Sequence, residues 1–353
     1  MKTLILLTVL TLTSITITAQ DIDALLAAGV DNAERFADDY LRPGTNGLMH
    51  SMNANWFNTA DAKPLGGFEI SIIANAASIK NEHKSFLMTI ADYNSDPDQD
   101  FDIEFADGAT SKDVATALGE NNPDVELIIR YDDPLSPGED RNLEERITLP
   151  SGIGNASANL LPTAFIQGAL GLSKGIELKA RFVPKVETED IAINMYGAGI
   201  QFEVTKWLPA DKLLPVAISG LVAYTHLGAA YDLTETSGIS GSDQRLENST
   251  NTWLLQLIAS TKLPVINFYG GLGYIKGKSE SDLLGTYTVS NGPVPFVDPS
   301  RTTVEDPFSI RSEIADVRAT AGFKLKVGFF RLNAEYHLSK FNAFSVGLNF
   351  GFR

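Results

Sequence analysis

The stretch VRATAGFKLKVGFFRLNAEYHL, residues 317–338, alternates apolar and polar positions almost without a break. Val317, Ala319, Ala321, Phe323, Leu325 and Val327 take the odd positions, with Arg318, Thr320, Lys324 and Lys326 between them. After Gly328-Phe329 the phase flips: Phe330, Leu332, Ala334, Tyr336 and Leu338 are even, while Arg331, Asn333, Glu335 and His337 are odd. A period of two on both sides of a two-residue break predicts a hairpin with one apolar and one charged face. Glycine at the first loop position suits a type II′ turn.

The same period recurs along the chain. It is present in GFEISIIANAA (67–77), GIELKARF (175–182), NMYGAGIQFEV (194–204), INFYGGLGY (266–274) and FSVGLNFGFR (344–353). LLPVAISGLVAYTHLGAAY, residues 213–231, is uncharged and about as long as a membrane helix. It contains Pro215, Gly220, His226 and Gly228, and Val216, Ile218, Val222 and Tyr224 alternate with Ser219, Ala223 and Thr225, which predicts one long strand. Residues 21–66 differ: DNAERFADDYLRPG places Asp31 and Glu34 at capping-box spacing and predicts a short helix ending at Pro43-Gly44. An irregular, Asn- and Gly-rich segment with Trp56 and Phe57 follows it.

Alternation alone also fits a secreted β-sandwich. Two features favour a membrane barrel. Arg, Lys and Glu stand in mid-strand on the polar face, where a lumen tolerates them, whereas on a lipid face each Lys or Arg costs ~2–4 kcal/mol. Short connections near 172–175, 208–213, 260–264 and 328–329 also alternate with longer ones at 183–192, 233–249 and 279–310. Barrels of the outer membrane show that rhythm, with short periplasmic turns and long outer loops. Three further strands near 99–106, 124–131 and 144–150 bring the expected count to fourteen, with twelve as the alternative.

Composition narrows the classes. The chain has 353 residues, a net charge of −16 and no cysteine. That excludes disulfides and zinc–thiolate sites, and it argues against nucleic acid, which needs a basic surface. MKTLILLTVLTLTSITITAQ has a basic start, an apolar middle and Ala19 before Gln20, so a signal peptide over residues 1–19 is expected. The resulting expectation is an all-β, antiparallel transmembrane barrel over residues 67–353. A helical and irregular plug over residues 20–66 precedes it, in the outer membrane of a Gram-negative cell.

Phe344-x-Val346-x-Leu348-x-Phe350-x-Phe352 resembles the C-terminal assembly signal of outer-membrane barrels, although the chain ends in Arg353 rather than an aromatic. The mature chain resembles an uncharacterised Bacteroidota outer-membrane family known as a domain of unknown function. Its plug-then-barrel layout is similar to that of the long-chain fatty-acid transporter family, but the Asn-Pro-Ala element of that plug is absent, Asn53-Ala54-Asn55 being the nearest match. The resemblance implies contact with outer-membrane lipid and lipopolysaccharide, assembly by the barrel-assembly machinery, and passage of a small hydrophobic or amphipathic solute. The other reading is a non-transporting barrel acting through its outer loops in structure, adhesion or assembly.

Candidate chemistry centres on the lumen. Lys179, Arg181, Arg318, Lys324, Lys326, Arg331 and Glu335 are expected to face it, and Leu48, Met49, Met52, Trp56 and Phe57 either line a plug pocket or pack the plug against the wall. Lys326 falls opposite Arg331 across the hairpin, so a carboxylate must neutralise them. Asp38, Asp39 or Asp61 of the plug could do so, as could Glu335, Glu203 or Glu177 of the wall. GGLGYIKG, residues 270–277, misses the dinucleotide-loop spacing and reads as small residues where the plug approaches the wall. DPDQDFDIE, residues 96–104, departs from a calcium loop at Phe101 and Asp107. It belongs to the segment 92–146, whose 17 acidic residues outnumber 4 basic ones. That patch could hold divalent cations bridging lipopolysaccharide or simply repel self-association. His337 and Ser339 share a strand face, but no nucleophile motif accompanies them, so no catalytic residue, metal or cofactor is expected.

Overall fold

A computed structural model describes residues 26, 29–96, 99, 101–131, 143–154, 159–188, 190–209, 215–233, 240–290 and 301–352. The signal peptide expected over residues 1–19 lies outside them. The described chain opens with helix α1 (Val30–Ser51), followed by strand β1 (Phe68–Ser78). An inserted domain comes next, with β2 (Ser85–Thr89), the short helix α2 (Ile90–Tyr93), β3 (Phe101–Phe105), β4 (Ser111–Ala115), β5 (Glu126–Tyr131) and β6 (Leu143–Thr148). The remaining strands are β7 (Leu160–Gly171), β8 (Ile176–Glu187), β9 (Ile191–Glu203), β10 (Val216–Asp232) and β11 (Ser240–Thr261). They continue with β12 (Ile266–Ser290), β13 (Arg301–Glu305), β14 (Phe308–Val327), β15 (Phe330–Leu338) and β16 (Ala343–Phe352).

Ten strands close into one ring in the order β11-β10-β9-β8-β7-β1-β16-β15-β14-β12, with β12 pairing back onto β11. Every pairing in it is antiparallel, and β1 pairs directly with β7 and β16. The barrel is therefore all-β as expected, but its wall holds neither fourteen nor twelve strands. The strands placed near 99–106, 124–131 and 144–150 exist as β3, β5 and β6, yet they form a separate three-stranded sheet. Their lengths give the reason. At five or six residues each they are too short to cross hydrocarbon, which takes ~9–11. They instead bury Ile103, Phe105, Leu127, Ile129 and Ile147 against Phe36 and Tyr40 of α1. The expected long loops 233–249 and 279–310 are also largely strand, because β11 and β12 run on to 22 and 25 residues and carry β13 on their extension.

The barrel's outer surface settles which face is which. From Trp253 to Thr261 on β11 and from Ile266 to Tyr274 on β12 the outward side chains are chiefly large and apolar, with Leu257 68% and Leu272 69% exposed. The next outward positions are Asn251 and Lys276, and there the belt ends. Paired registers advance about twelve residues in one circuit, which for ten strands sets a tilt of about 40° and a Cα radius of about 10 Å. Nine residues at that tilt make a belt about 23 Å tall, close to the ~25 Å apolar band of membrane barrels. The turn at 328–329 is as expected: Val327 pairs with Phe330, and Gly328 alone takes positive φ, at 62°. Among the described residues no helix is long and apolar enough to cross a membrane.

Replacing Leu257 with arginine tests the belt. We expect a loss of ~2–4 kcal/mol in the free energy of folding into lipid vesicles, measured by denaturant titration. A change near zero would mean that water, not hydrocarbon, wets this face.

Candidate functional site

A Cα radius of about 10 Å leaves, after inward side chains, a lumen scarcely wider than the 10–12 Å of a helix with its side chains. The plug enters it nonetheless, because the wall gives way at particular glycines. A Cβ on Gly199 would sit 3.1 Å from Trp56, one on Gly271 3.3 Å from Phe57, and one on Gly277 2.6 Å from the Met49 sulfur. The GGLGYIKG segment thus holds small residues where the plug meets the wall. Helix α1 continues past Pro43, where the sequence suggested an end, through Gly47, Met49, His50 and Ser51, all buried. Proline removes one i→i−4 bond there, and the lumen packing of the last two turns carries the helix on.

Two of the expected lumen charges clasp the end of that helix. Arg181 on β8 donates from Nη1 to the Met52 carbonyl at 2.8 Å, and Arg318 on β14 donates from Nη2 to the Asn53 carbonyl at 2.5 Å. Carbonyls at a helix C-terminus carry partial negative charge and favour a cation. The Arg181 guanidinium also lies 3.6 Å from the Trp56 ring centroid and 4.2 Å from that of Phe165. Backbone and aromatic faces thereby take the place of a carboxylate.

A second group of charges closes the short-turn end. Lys63 of the plug lies 3.2 Å from Glu177 and 3.6 Å from Glu69, and its own backbone N–H donates to Glu177 at 3.0 Å. Glu177 also holds Lys179 at 2.6 Å. Glu69 receives Arg331 at 2.7 Å and Lys324 at 3.1 Å, while Asn58 of the plug bridges Lys324 (2.7 Å) and Glu69 (2.8 Å). Burial works against the Lys63 ammonium, but Glu177 and Glu69 outweigh it and hold its pKa above the usual lysine value.

The carboxylate comes from the wall, one of the two expected sources, but from none of the three wall acids named for it. The plug contributes a cation, and the neutralising carboxylate for Arg331 is Glu69 on β1. None of the proposed plug acids does this work: Asp38 and Asp39 pair with Arg42 on their own helix, and Asp61 lies 3.6 Å from Lys206. Of the wall acids, Glu335 sits 2.8 Å from His337, and Glu203 lies 3.1 Å from Lys206 and 3.7 Å from Lys262. Lys326 does pair in register with Arg331, and it is only half-buried. Glu69 could have been noticed as a mid-strand acid in GFEISIIANAA on the face opposite Phe68, Ile70 and Ile72. Ring closure puts β1 beside β16 and so brings Glu69 to Arg331.

The proposed plug pocket is filled. Met49, Trp56 and Phe57 pack with Leu221, Leu254, Ile258, Tyr269 and Ile275 of the wall. Met52 packs with Ile73, Phe165, Ile193, Met195 and Leu227, with half-buried Leu48 beside them. These side chains seat the plug. Backbone contacts reinforce it: Gln201 donates to the Thr59 carbonyl at 3.1 Å, and the Ala62 N–H donates to Glu203 at 2.7 Å. His337 is buried against Glu335 and Thr320, and Ser339, expected on the same strand face, lies in the turn beyond β15.

Glu69→Gln should cost ~3–5 kcal/mol of unfolding free energy, since it strands cations in a buried setting. Adding Lys324→Met should restore part of the loss. A single-mutant cost under ~1 kcal/mol by denaturant titration would mean that water already screens these charges.

The model of a family of unknown function (DUF6588) matches residues 1–352. No curated protein matches the chain. Among solved structures it is similar to Ail, the attachment invasion locus protein of Yersinia pestis, at 10% identity and a TM-score of 0.25, covering 82% of this chain and 99% of that one. It is similar to the translocator domain of the autotransporter NalP from Neisseria meningitidis at 11% identity and a TM-score of 0.27, covering 93% and 97%. The outer membrane transporter YddB from Escherichia coli follows at 10% identity and a TM-score of 0.30, covering 80% of this chain and 41% of that one. At such scores the description of the barrel stands on its own strand pairing.

Proposed function

The chain belongs to that family of unknown function, and for it we propose a plugged channel of the bacterial outer membrane that passes small amphipathic solutes when its N-terminal segment moves aside. The apolar belt, the ring without edges and the short turns at one end support the location, with outer-membrane lipid and lipopolysaccharide as its surroundings. In this orientation the short turns face the periplasm and the inserted domain faces outward. The aromatic, alternating β16 is what the barrel-assembly machinery would engage.

The observation that carries the channel reading is how the wall holds the plug. Arg181, Arg318, Gln167 and Gln201 reach the plug largely through its backbone carbonyls. Water can replace each of those acceptors when the plug leaves. A barrel meant to stay filled gains nothing from buried polar groups that an apolar core would match or improve on. The bared wall would present Gln167, Lys179, Arg181, Gln201, Gln256, Lys324 and Asn333, a wet surface unsuited to a purely hydrophobic cargo.

A non-transporting role in adhesion or assembly is the second reading, and the inserted domain and the tall β10–β14 side of the wall favour it. Conductance in planar bilayers separates the two. Intact protein should be nearly closed, and protein lacking residues 20–66 should open steady channels. Silence from both, with the barrel folded by heat-modifiable migration, would leave the non-transporting reading.

A further inference from the structure

One side chain ties the plug, the wall and the inserted domain together at the outer rim. His50, in the last turn of α1, is 3% exposed, and its Nε2 lies 3.3 Å from Oδ2 of Asp316 on β14. The other oxygen of Asp316 is 3.0 Å from Lys340, in the turn between β15 and β16. The His50 ring sits 5.6 Å from that of Phe341 in the same turn. Phe341 in turn stacks on His83 of the inserted domain, with centroids 3.9 Å apart and planes 17° from parallel. A Cβ on Gly47, one turn earlier in α1, would come within 3.0 Å of the Phe341 ring, so the helix rests directly on it.

The hydrogen bonding suits only a neutral imidazole. Nε2–H can donate to Asp316, while Nδ1 is buried without a hydrogen-bond partner. A second proton would place an N–H there with no acceptor, a penalty of the kind that any unpaired buried donor carries. The helix C-terminus, which would otherwise welcome a cation, already has Arg181 and Arg318 on the carbonyls just beyond it. The charged groups around His50 are Asp316 and Arg318 on β14 and Lys340 in the rim turn. On the inserted domain, Lys80 and Glu82 flank His83, whose Nδ1 accepts the Lys80 backbone N–H at 3.3 Å.

We propose that His50, seated between Asp316 and Phe341, is an acid-operated latch: charging its imidazole frees α1 from the rim and lets the plug leave the lumen. This assigns a regulation to the channel proposed above and rests on that reading.

Burial drives the His50 pKa from 6.5 down to about 4, against the pull of Asp316. A released plug would expose the ring and return it toward its ordinary value, so the released state takes up the proton first. Seating is therefore at full strength above pH 6.5 and weakens as pH falls toward 4, by up to about 300-fold in the seated-to-released ratio.

The tryptophans supply the test. Trp56 lies buried in the plug, whereas Trp207 and Trp253 are exposed on the outside of the barrel. In full-length protein carrying Trp207→Phe and Trp253→Phe in vesicles, acrylamide quenching of Trp56 reports plug position independently of ion flow. Quenching should be weak at pH 7 and rise about threefold or more by pH 4.5. The same protein with His50→Gln should stay flat, with heat-modifiable migration confirming its fold. A flat profile in the parent, or a rise in His50→Gln at the parent's pH, overturns the latch. Trp56 exposure without accompanying conductance keeps the latch and removes the channel, whereas conductance from plug-deleted protein with a flat quenching profile does the reverse.

Discussion

Within the apolar belt, each backbone N–H and C=O must find its partner in a neighbouring strand, because hydrocarbon offers none. A sheet under that constraint can have no edge, so β1 has to meet β16 as well as β7. Ring closure fixes the remaining dimensions. Ten strands and a register advance of about twelve residues set the tilt and a radius near 10 Å. That radius is too small for an open pore with large inward side chains and barely large enough for a helix. Glycines on β9 and β12 let Trp56, Phe57 and Met49 fit.

The plug and the wall then depend on each other electrically. Inward-facing arginine and lysine cannot be buried alone, and the wall carries several. Arg181 and Arg318 use carbonyls just past the end of α1, while Lys63 completes the cluster around Glu69 and Glu177. Polar side chains on backbone acceptors hold a segment firmly while leaving each bond replaceable by water.

The inserted domain and the tall strands work on the same helix from outside the belt. Phe36 and Tyr40 of α1 lie in the core of the insertion, and Ala33 packs with Leu283 and Tyr287 on the extended part of β12. One helix thus runs from the inserted domain to the rim of the lumen, where the rest of the plug follows it in. His50, in the last turn of that helix, meets Phe341 at the rim.

Much of this was legible beforehand, and the illegible part has a definite physical character. In the alternating barrel stretches the pattern told each residue its side: Val317 outward, Arg318 and Lys324 inward, and the Gly328 turn between strands of known phase. Period two is set by the backbone of a single strand, so it is written locally. Strand count was not: β3 alternates as a barrel strand does, and β3, β5 and β6 are set apart by their length and by what they pack against. The partner of each charge was hidden for the same reason. Glu69 and Arg331 are far apart in the chain and meet only because ring closure brings β1 beside β16, which stands next to β15. The sequence by itself determined which way the residues of its alternating barrel strands point. Only the tertiary structure decided which strands are neighbours, since pairing is a long-range choice that hydrocarbon enforces on the whole ring at once.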